Sequence, residues 1–187
     1  MTGYAFTGSF CTLSQSVEEL KRLVANGIEI QPIMSERVYS TDTRFYMAHE
    51  LRNIVTSVTG REIIHTVEGA EPLGAIYPLD NLIISPCTGN TAAKIALGIT
   101  DSAVTMAAKA HLRCDRPLLI ALASNDALSQ NLKNISTLLS RKSVFLLPMK
   151  QDDPKGKPHS LVADFSLLSL AFSSMVTAKE QLRPIFR

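Results

Sequence analysis

Apolar residues fall along this chain in two rhythms. Short runs that are apolar almost throughout, such as Leu82-Ile-Ile84 and Leu118 to Ala123, read as buried strands. Longer stretches in which apolar residues return every three or four positions read as helices with one covered face. The first strand is predicted over Thr2 to Phe6 and the second over Ile28 to Met34, followed by Leu82 to Ser85, Leu118 to Ala123 and a last one over Ser143 to Pro148. A helix from Ser14 to Ala25 sets Val17, Leu20, Leu23 and Val24 against Glu18, Glu19, Lys21 and Arg22, and Asn26-Gly27 ends it. Met47, Leu51, Ile54, Val55 and Val58 stripe a second helix, and Ala93, Ile95, Ala96 and Ile99 a third. Small apolar residues from Ala103 to Ala110 mark a tightly packed helix with Thr100 as its cap. Leu128, Leu132, Ile135, Leu138 and Leu139 mark the next, and Ser160 to Gln181 the last. Gly60 to Pro78 is less regular, with a short strand expected at Ile63 to Val67, and Gln151 to Pro158 is a solvated loop.

Strands alternating with helices, and strands apolar nearly throughout, predict a parallel sheet covered on both faces. The expected architecture is α/β, a three-layer αβα arrangement of the Rossmann or flavodoxin type. No repeat or linker divides the 187 residues, which are read as one domain over residues 1–187.

In such sheets ligands meet the turns that leave the carboxyl ends of the strands. Three of those turns are polar. Thr7-Gly8-Ser9 follows the first strand and Ser35-Glu36-Arg37 the second, while Ser85-Pro-Cys-Thr-Gly-Asn-Thr91 leads into the third helix. In the last of these, Thr88, Gly89, Asn90 and Thr91 offer uncharged donors beside the unpaired amides of a first helical turn, an arrangement that favours an anion such as phosphate. An ordinary capped helix start, with Thr88 or Asn90 as cap, fits the same residues. The Thr-Gly-Ser turn is too short for the dinucleotide fingerprint, so a mononucleotide phosphate suits it better than NAD. Arg44 lies near the predicted start of the second helix, where a cation opposes the helix dipole and so suggests an anionic partner.

Composition adds mainly exclusions. The apolar share is 45% and the formal net charge is +2, with both signs scattered and no basic run carrying aromatics, so nucleic acid is not an expected partner. No apolar run approaches the roughly 20 residues a membrane span requires, and no leader precedes the first strand; a cytoplasmic protein is expected. Cys11, Cys87 and Cys114 are odd in number and never spaced Cys-x-x-Cys, which argues against a disulfide framework or a zinc site. Cys11 and Cys87 are read as small packing residues.

The run from Pro86 to Asp101, PCTGNTAAKIALGITD, resembles the signature of the flavin-containing cysteine decarboxylase superfamily. That resemblance implies FMN as cofactor and Gly8, Ser9, Ser35, Thr88, Asn90, Thr91, Ser124 and Asn125 as the residues that bind it. It also implies self-association, as a trimer or a dodecamer. The decarboxylases carry a histidine motif on the helix after the second-strand loop, whereas His49 here stands in Phe-Tyr-Met-Ala-His-Glu; the later Pro-Ala-Met-Asn segment is replaced by Leu-Ala-Ser124-Asn125. The flavin prenyltransferases have an Arg-Glu pair where this chain has Ser124-Asn125-Asp126.

Segments spread over nearly the whole chain resemble the B-subunit family of dipicolinate synthases. They include Thr7-Gly-Ser, Ser40-Thr-x-Thr-Arg-Phe45, Ala70-Glu-Pro-Leu-Gly74, Thr100-Asp-Ser-x-Val104 and Ser124-Asn-Asp-Ala-Leu128. The resemblance implies oxidation of dihydrodipicolinate to dipicolinate in the mother cell of a sporulating bacterium, with a separate A subunit as partner. A dicarboxylate substrate calls for cations, and Arg44, Lys94, Lys109 and Lys157 are the candidates. No catalytic base is identified; His111 and His159 lie outside the matching segments. Two other readings stay open: a flavin-fold scaffold without flavin, and an FMN-dependent decarboxylase of a cysteine-containing substrate.

Overall fold

A computed structural model describes all 187 residues. Five parallel strands form the centre of one sheet: β1 (Thr2–Phe6), β2 (Ile30–Met34), β3 (Asn81–Thr88), β4 (Leu118–Ser124) and β5 (Val144–Leu146). The order 2-1-3-4 with β5 beside β4 is that of flavodoxin-like folds. The strand order reverses between β1 and β3, so the crevice above that pair is the topological switch point.

Helices cover both faces, and the period of two along each strand assigns them. Tyr4, Phe6, Ile83, Leu119 and Ala121 point to one face, where they pack with α1 (Leu13–Ala25), α3 (Ala48–Thr59) and α8 (Leu168–Thr177). Ala5, Leu82, Ile84, Leu118, Ile120 and Leu122 point to the other, against α5 (Gly89–Leu97), α6 (Ala103–Leu112) and α7 (Leu132–Leu139). Both clusters exceed twenty buried residues, which accounts for strands apolar nearly throughout. No helix is long and apolar enough to cross a membrane.

Several elements differ from the sequence expectation. Ser35-Glu36-Arg37 opens a short helix, α2 (Glu36–Ser40), because the Ser35 hydroxyl accepts a hydrogen bond from the Val38 amide. Ile63 to Val67 makes one bridge, Ile33 to Ile64, and then turns into a further short helix, α4 (Val67–Ala70), capped by Thr66. The third strand continues past Ser85 to Thr88 with a shift in register between Ile84 and Cys87. Ser102, not Thr100, caps α6, in a reciprocal capping box with Thr105.

The largest difference is at the C-terminal end. Ser143 to Pro148 is not the last strand, and Ser160 to Gln181 is not one helix. Met149–Lys150 and Leu161–Ala163 form β6 and β7, with β7 antiparallel to both β6 and the end of β4. The sheet is therefore mixed, with a parallel centre and an antiparallel extension. Leu161, Ala163, Phe165 and Leu168 are all buried, and the two-residue spacing of the strand pair Leu161 and Ala163 running into the turn and helix that carry Phe165 and Leu168 mimics helical density in a short apolar run.

Candidate functional site

Three turns leave the carboxyl ends of β1, β3 and β4 side by side. Thr7 ties the first two together: its hydroxyl donates to the Pro86 carbonyl (2.9 Å) and accepts from the Thr88 amide (2.9 Å). That fixes Gly8 and Ser9 against the start of α5. Ser9 in turn accepts from the Thr12 hydroxyl at 2.9 Å, keeping its own proton free to donate. Thr88 caps α5, accepting from the Thr91 amide at 3.1 Å. The amides of Gly89 and Asn90 then have no carbonyl within the helix, and they open onto the rim.

A cavity of about 780 Å³ lies above these turns, lined by Gly8, Ser9, Thr88, Asn90, Ser124 and Asn125 together with parts of α7 and the Gln151–Pro158 loop. Its volume is that of a cofactor-sized site. A second cavity of about 560 Å³ adjoins it across Gly8, Thr88 and Asn90, and is lined by Ser35, Thr91 and Lys94. Ser9 and Ser35 thus face different compartments that share one wall. No group of three or more His, Cys, Asp or Glu side chains is placed to hold a metal ion.

The main cavity is walled by a network that sequence reasoning missed. Asp126 accepts from the Ser124 hydroxyl at 2.5 Å and from Asn131 at 2.8 Å, and Asn131 accepts from Asn134 at 2.8 Å. The hydrogen bond from Ser124, followed by that from Asn131, holds the Asp126 carboxyl below the usual carboxylate range. The wall therefore presents a fixed negative charge, and the Ser124 hydroxyl is already committed to it. Gly89 packs against the same network: a Cβ there would collide with Ser124 Oγ and come within 2.6 Å of Asn131 Nδ2. The dipeptide Asn125-Asp126 after an apolar strand was a usable signal for a rim carboxylate, because strand ends in this fold feed the site.

The predicted cations scatter. Lys94 lines the second cavity but is paired with Asp101 at 2.7 Å, and that hydrogen bond holds the Asp101 carboxyl low. Arg37, also on that wall and in no ion pair, is a cation the sequence reading passed over. Lys157 lines the main cavity, paired with Asp152 at 2.9 Å. Arg44 lines neither cavity; its guanidinium sits over the Phe45 ring at 4.8 Å. The anion at the start of α3 is supplied internally, since Asp42 accepts from the Ala48 amide at 2.7 Å. Lys109 lies in a third, separate cavity.

Cysteine and histidine roles also separate on burial. Cys87 is fully buried, and burial pushes its thiol far above the ordinary range, as a packing residue should. Cys11 departs from that reading: it is exposed and lines the main cavity. His111 is enclosed, with Nε2 against the Pro117 carbonyl at 2.9 Å and Nδ1 without a partner; burial holds its pKa down. His49 and His159 are exposed.

The strand order, the polar switch point and a cofactor-sized hollow at the rim define a flavodoxin-like α/β protein. The chain belongs to the Flavoprotein family, whose family model matches residues 3–164, and within it to the group of dipicolinate synthase B subunits. It is 41% identical over 183 residues to the dipicolinate synthase B subunit of Bacillus subtilis (strain 168), covering 98% of this chain and 91% of that protein. The crystal structure of the dipicolinate synthase B subunit from Bacillus halodurans C matches with a TM-score of 0.90 at 36% identity, covering 100% of this chain and 95% of that one. The FMN-dependent cysteine decarboxylase SpaF shares the fold, with a TM-score of 0.65 at 22% identity over 96% of this chain and 95% of its own.

Proposed function

We propose that this chain is the B subunit of a dipicolinate synthase, that it holds FMN at the rim, and that with an A subunit it oxidises dihydrodipicolinate to dipicolinate in the mother-cell cytoplasm of a sporulating bacterium. One observation carries the reading above all: 41% identity to a dipicolinate synthase B subunit across 98% of the chain. The rim suits FMN in size and chemistry. The amides of Gly89 and Asn90 and the Thr91 hydroxyl are the proposed phosphate contacts, with Ser35, Arg37 and Lys94 on the adjoining wall. Gly8 allows close approach, and Ser9 and Asn125 donate or accept along the main cavity. FMN there supplies an acceptor for the hydride equivalent that leaves the partly reduced ring.

The remaining roles fall to the protein's own charges. Asp126 accepts N–H or O–H groups and repels carboxylates, so the anionic end of a ligand is directed away from it. Lys157 and Lys133, on the same cavity, are the proposed contacts for the substrate's carboxylates; Arg44 and Lys109 lie outside it. Oxidation also releases a proton. Asp126 is a weak base because its carboxyl is held low, and His111 is enclosed, so the A subunit is the proposed source of the base. Self-association as a trimer or dodecamer completes the proposal.

Mixing the purified chain with its A subunit and a dihydrodipicolinate source should yield the aromatic product, followed by ultraviolet absorbance. Product no greater than that of either protein alone rejects the two-protein dehydrogenase. The scaffold reading has one feature in its favour: Ser124 and Asn131 spend donors on Asp126 rather than on a ligand. A yellow chain, or one that takes up added FMN, excludes it; a colourless chain that takes up none supports it.

A further inference from the structure

The third cavity, of about 270 Å³, lies between α5 and α6, at the segments leading into β4 and β5. Those segments precede the amino ends of their strands, so the cavity sits toward the sheet edge opposite the polar turns. Lys109, Arg113 and Arg141 line it over a floor of Ile95, Ile99 and Leu112, and no acidic side chain does. None of the three cations is in an ion pair, whereas Lys94 and Lys157 at the rim both are. Arg141 donates to the Ala96 carbonyl at 3.2 Å, which orders its guanidinium and leaves other N–H groups unused.

Cations near helix C-termini are individually favoured by the backbone dipole. That accounts for one cation on each helix, but not for three meeting over an apolar floor with nothing between them. The arrangement has the parts of a ligand site: two planar forks that match carboxylates, a point charge, the Thr100 hydroxyl at the margin and an apolar surface for a carbon body. Its volume, about 270 Å³, falls just below the roughly 300–1,000 Å³ of drug-sized ligand pockets, which suits a small organic acid. An inorganic ion would leave the Ile95, Ile99 and Leu112 surface unfilled. We infer that this cavity binds a small organic di- or tricarboxylate, at a site separate from the rim.

Calorimetric titration of the full chain at constant ionic strength, with citrate, malonate and inorganic phosphate as probes, tests this directly. Citrate or malonate should bind saturably, and inorganic phosphate at least tenfold more weakly. Lys109→Gln with Arg113→Gln, exposed residues on the last turn and at the C-cap of α6, should weaken carboxylate binding at least tenfold while leaving FMN uptake unchanged. In the unsubstituted protein, citrate should shift the backbone amide resonances of Gly98, Ile99 and Leu112, a readout that does not depend on the variant folding. Absence of saturable carboxylate binding up to about 10 mM overturns the inference, since that limit leaves less than about 3 kcal/mol of binding free energy. Undiminished binding in the double variant, shifts confined to the rim, or phosphate bound more tightly than either carboxylate would each overturn it as well.

Discussion

Two hydrogen-bonded networks flank the start of the central β3–α5 stretch, and they are built for different ends. Beneath the rim, the buried Tyr4 hydroxyl donates to the Ser16 carbonyl at 2.8 Å, and the Ser16 hydroxyl donates to the Ser85 carbonyl at 2.5 Å. All three residues are fully buried, and burial pushes the Tyr4 phenol well above its usual range, so the network stays neutral. Above the rim, Ser124, Asp126 and Asn131 form a network of similar size around an ionised carboxylate that borders the cavity. Neutral donors locked away from water pin α1 to the sheet, whereas a charge held at a cavity wall acts on whatever enters. A charge on a partly exposed residue, rather than the number of hydrogen bonds, separates the network at the cavity from the neutral one beneath it, since Ser124 and Asn131 are buried as well.

The largest effect is expected at Gly89, where both packing and the rim network are engaged. Gly89→Ala should lower stability by about 1–3 kcal/mol through overpacking against Ser124 and Asn131, and should abolish FMN uptake, measured by denaturant unfolding and flavin absorbance. Unchanged stability with full uptake would show that the wall yields easily. Ser16→Ala comes next: it leaves the buried Ser85 hydroxyl short of a partner and should cost about 1–3 kcal/mol, with FMN affinity unchanged. Loss of flavin affinity without loss of stability would erase the distinction between the two networks.

Asp126→Asn should change stability at neutral pH by less than Ser16→Ala, while altering ligand affinity. Its sign with pH follows from the depressed carboxyl pKa. The stabilisation is present above the unfolded value of about 3.9 and disappears as pH falls through the lower folded value. The variant should therefore lose less stability than the parent on acidification across that window, in melts recorded at successive pH values. His111 acts in a higher window. Its folded pKa lies below the free value of about 6.5, so the unfolded chain binds the extra proton first and stability falls as pH drops beneath that value. A melting temperature that is flat from pH 7 to pH 5 in the parent would contradict the enclosed neutral imidazole. The smallest effect is expected for Lys157→Ala, whose exposed pair with Asp152 is screened by water, so that denaturant unfolding of the variant should be indistinguishable from that of the parent.

The elements best anticipated from sequence are those whose signals are local. Thr2–Phe6 is a strand as predicted, α1 starts one residue earlier than expected, and Thr88 is the cap of α5. Apolar rhythm and cap chemistry are read by neighbours a few residues away, so consecutive residues suffice to specify them. The polar turn that leads from β3 into α5 was legible for the same reason. Its partner turns were legible only through the rule that parallel sheets gather their ligand loops at one edge.

Tertiary structure decided what no local window contains. β7 pairs antiparallel with β4 through Ala123 and Val162, and that pairing turned an expected helix into a strand. Ser9 and Ser35 fell on two sides of one wall, Asp126 drew Ser124 and Asn131 into a charged network, and Lys109 went to the far edge with Arg113 and Arg141. By itself the sequence determined an α/β chain with a polar turn at the carboxyl end of its third strand. The compartments around that turn and the pairing of each charge depended on contacts between residues distant in sequence, whose side chains carry no local mark of the neighbour they will meet.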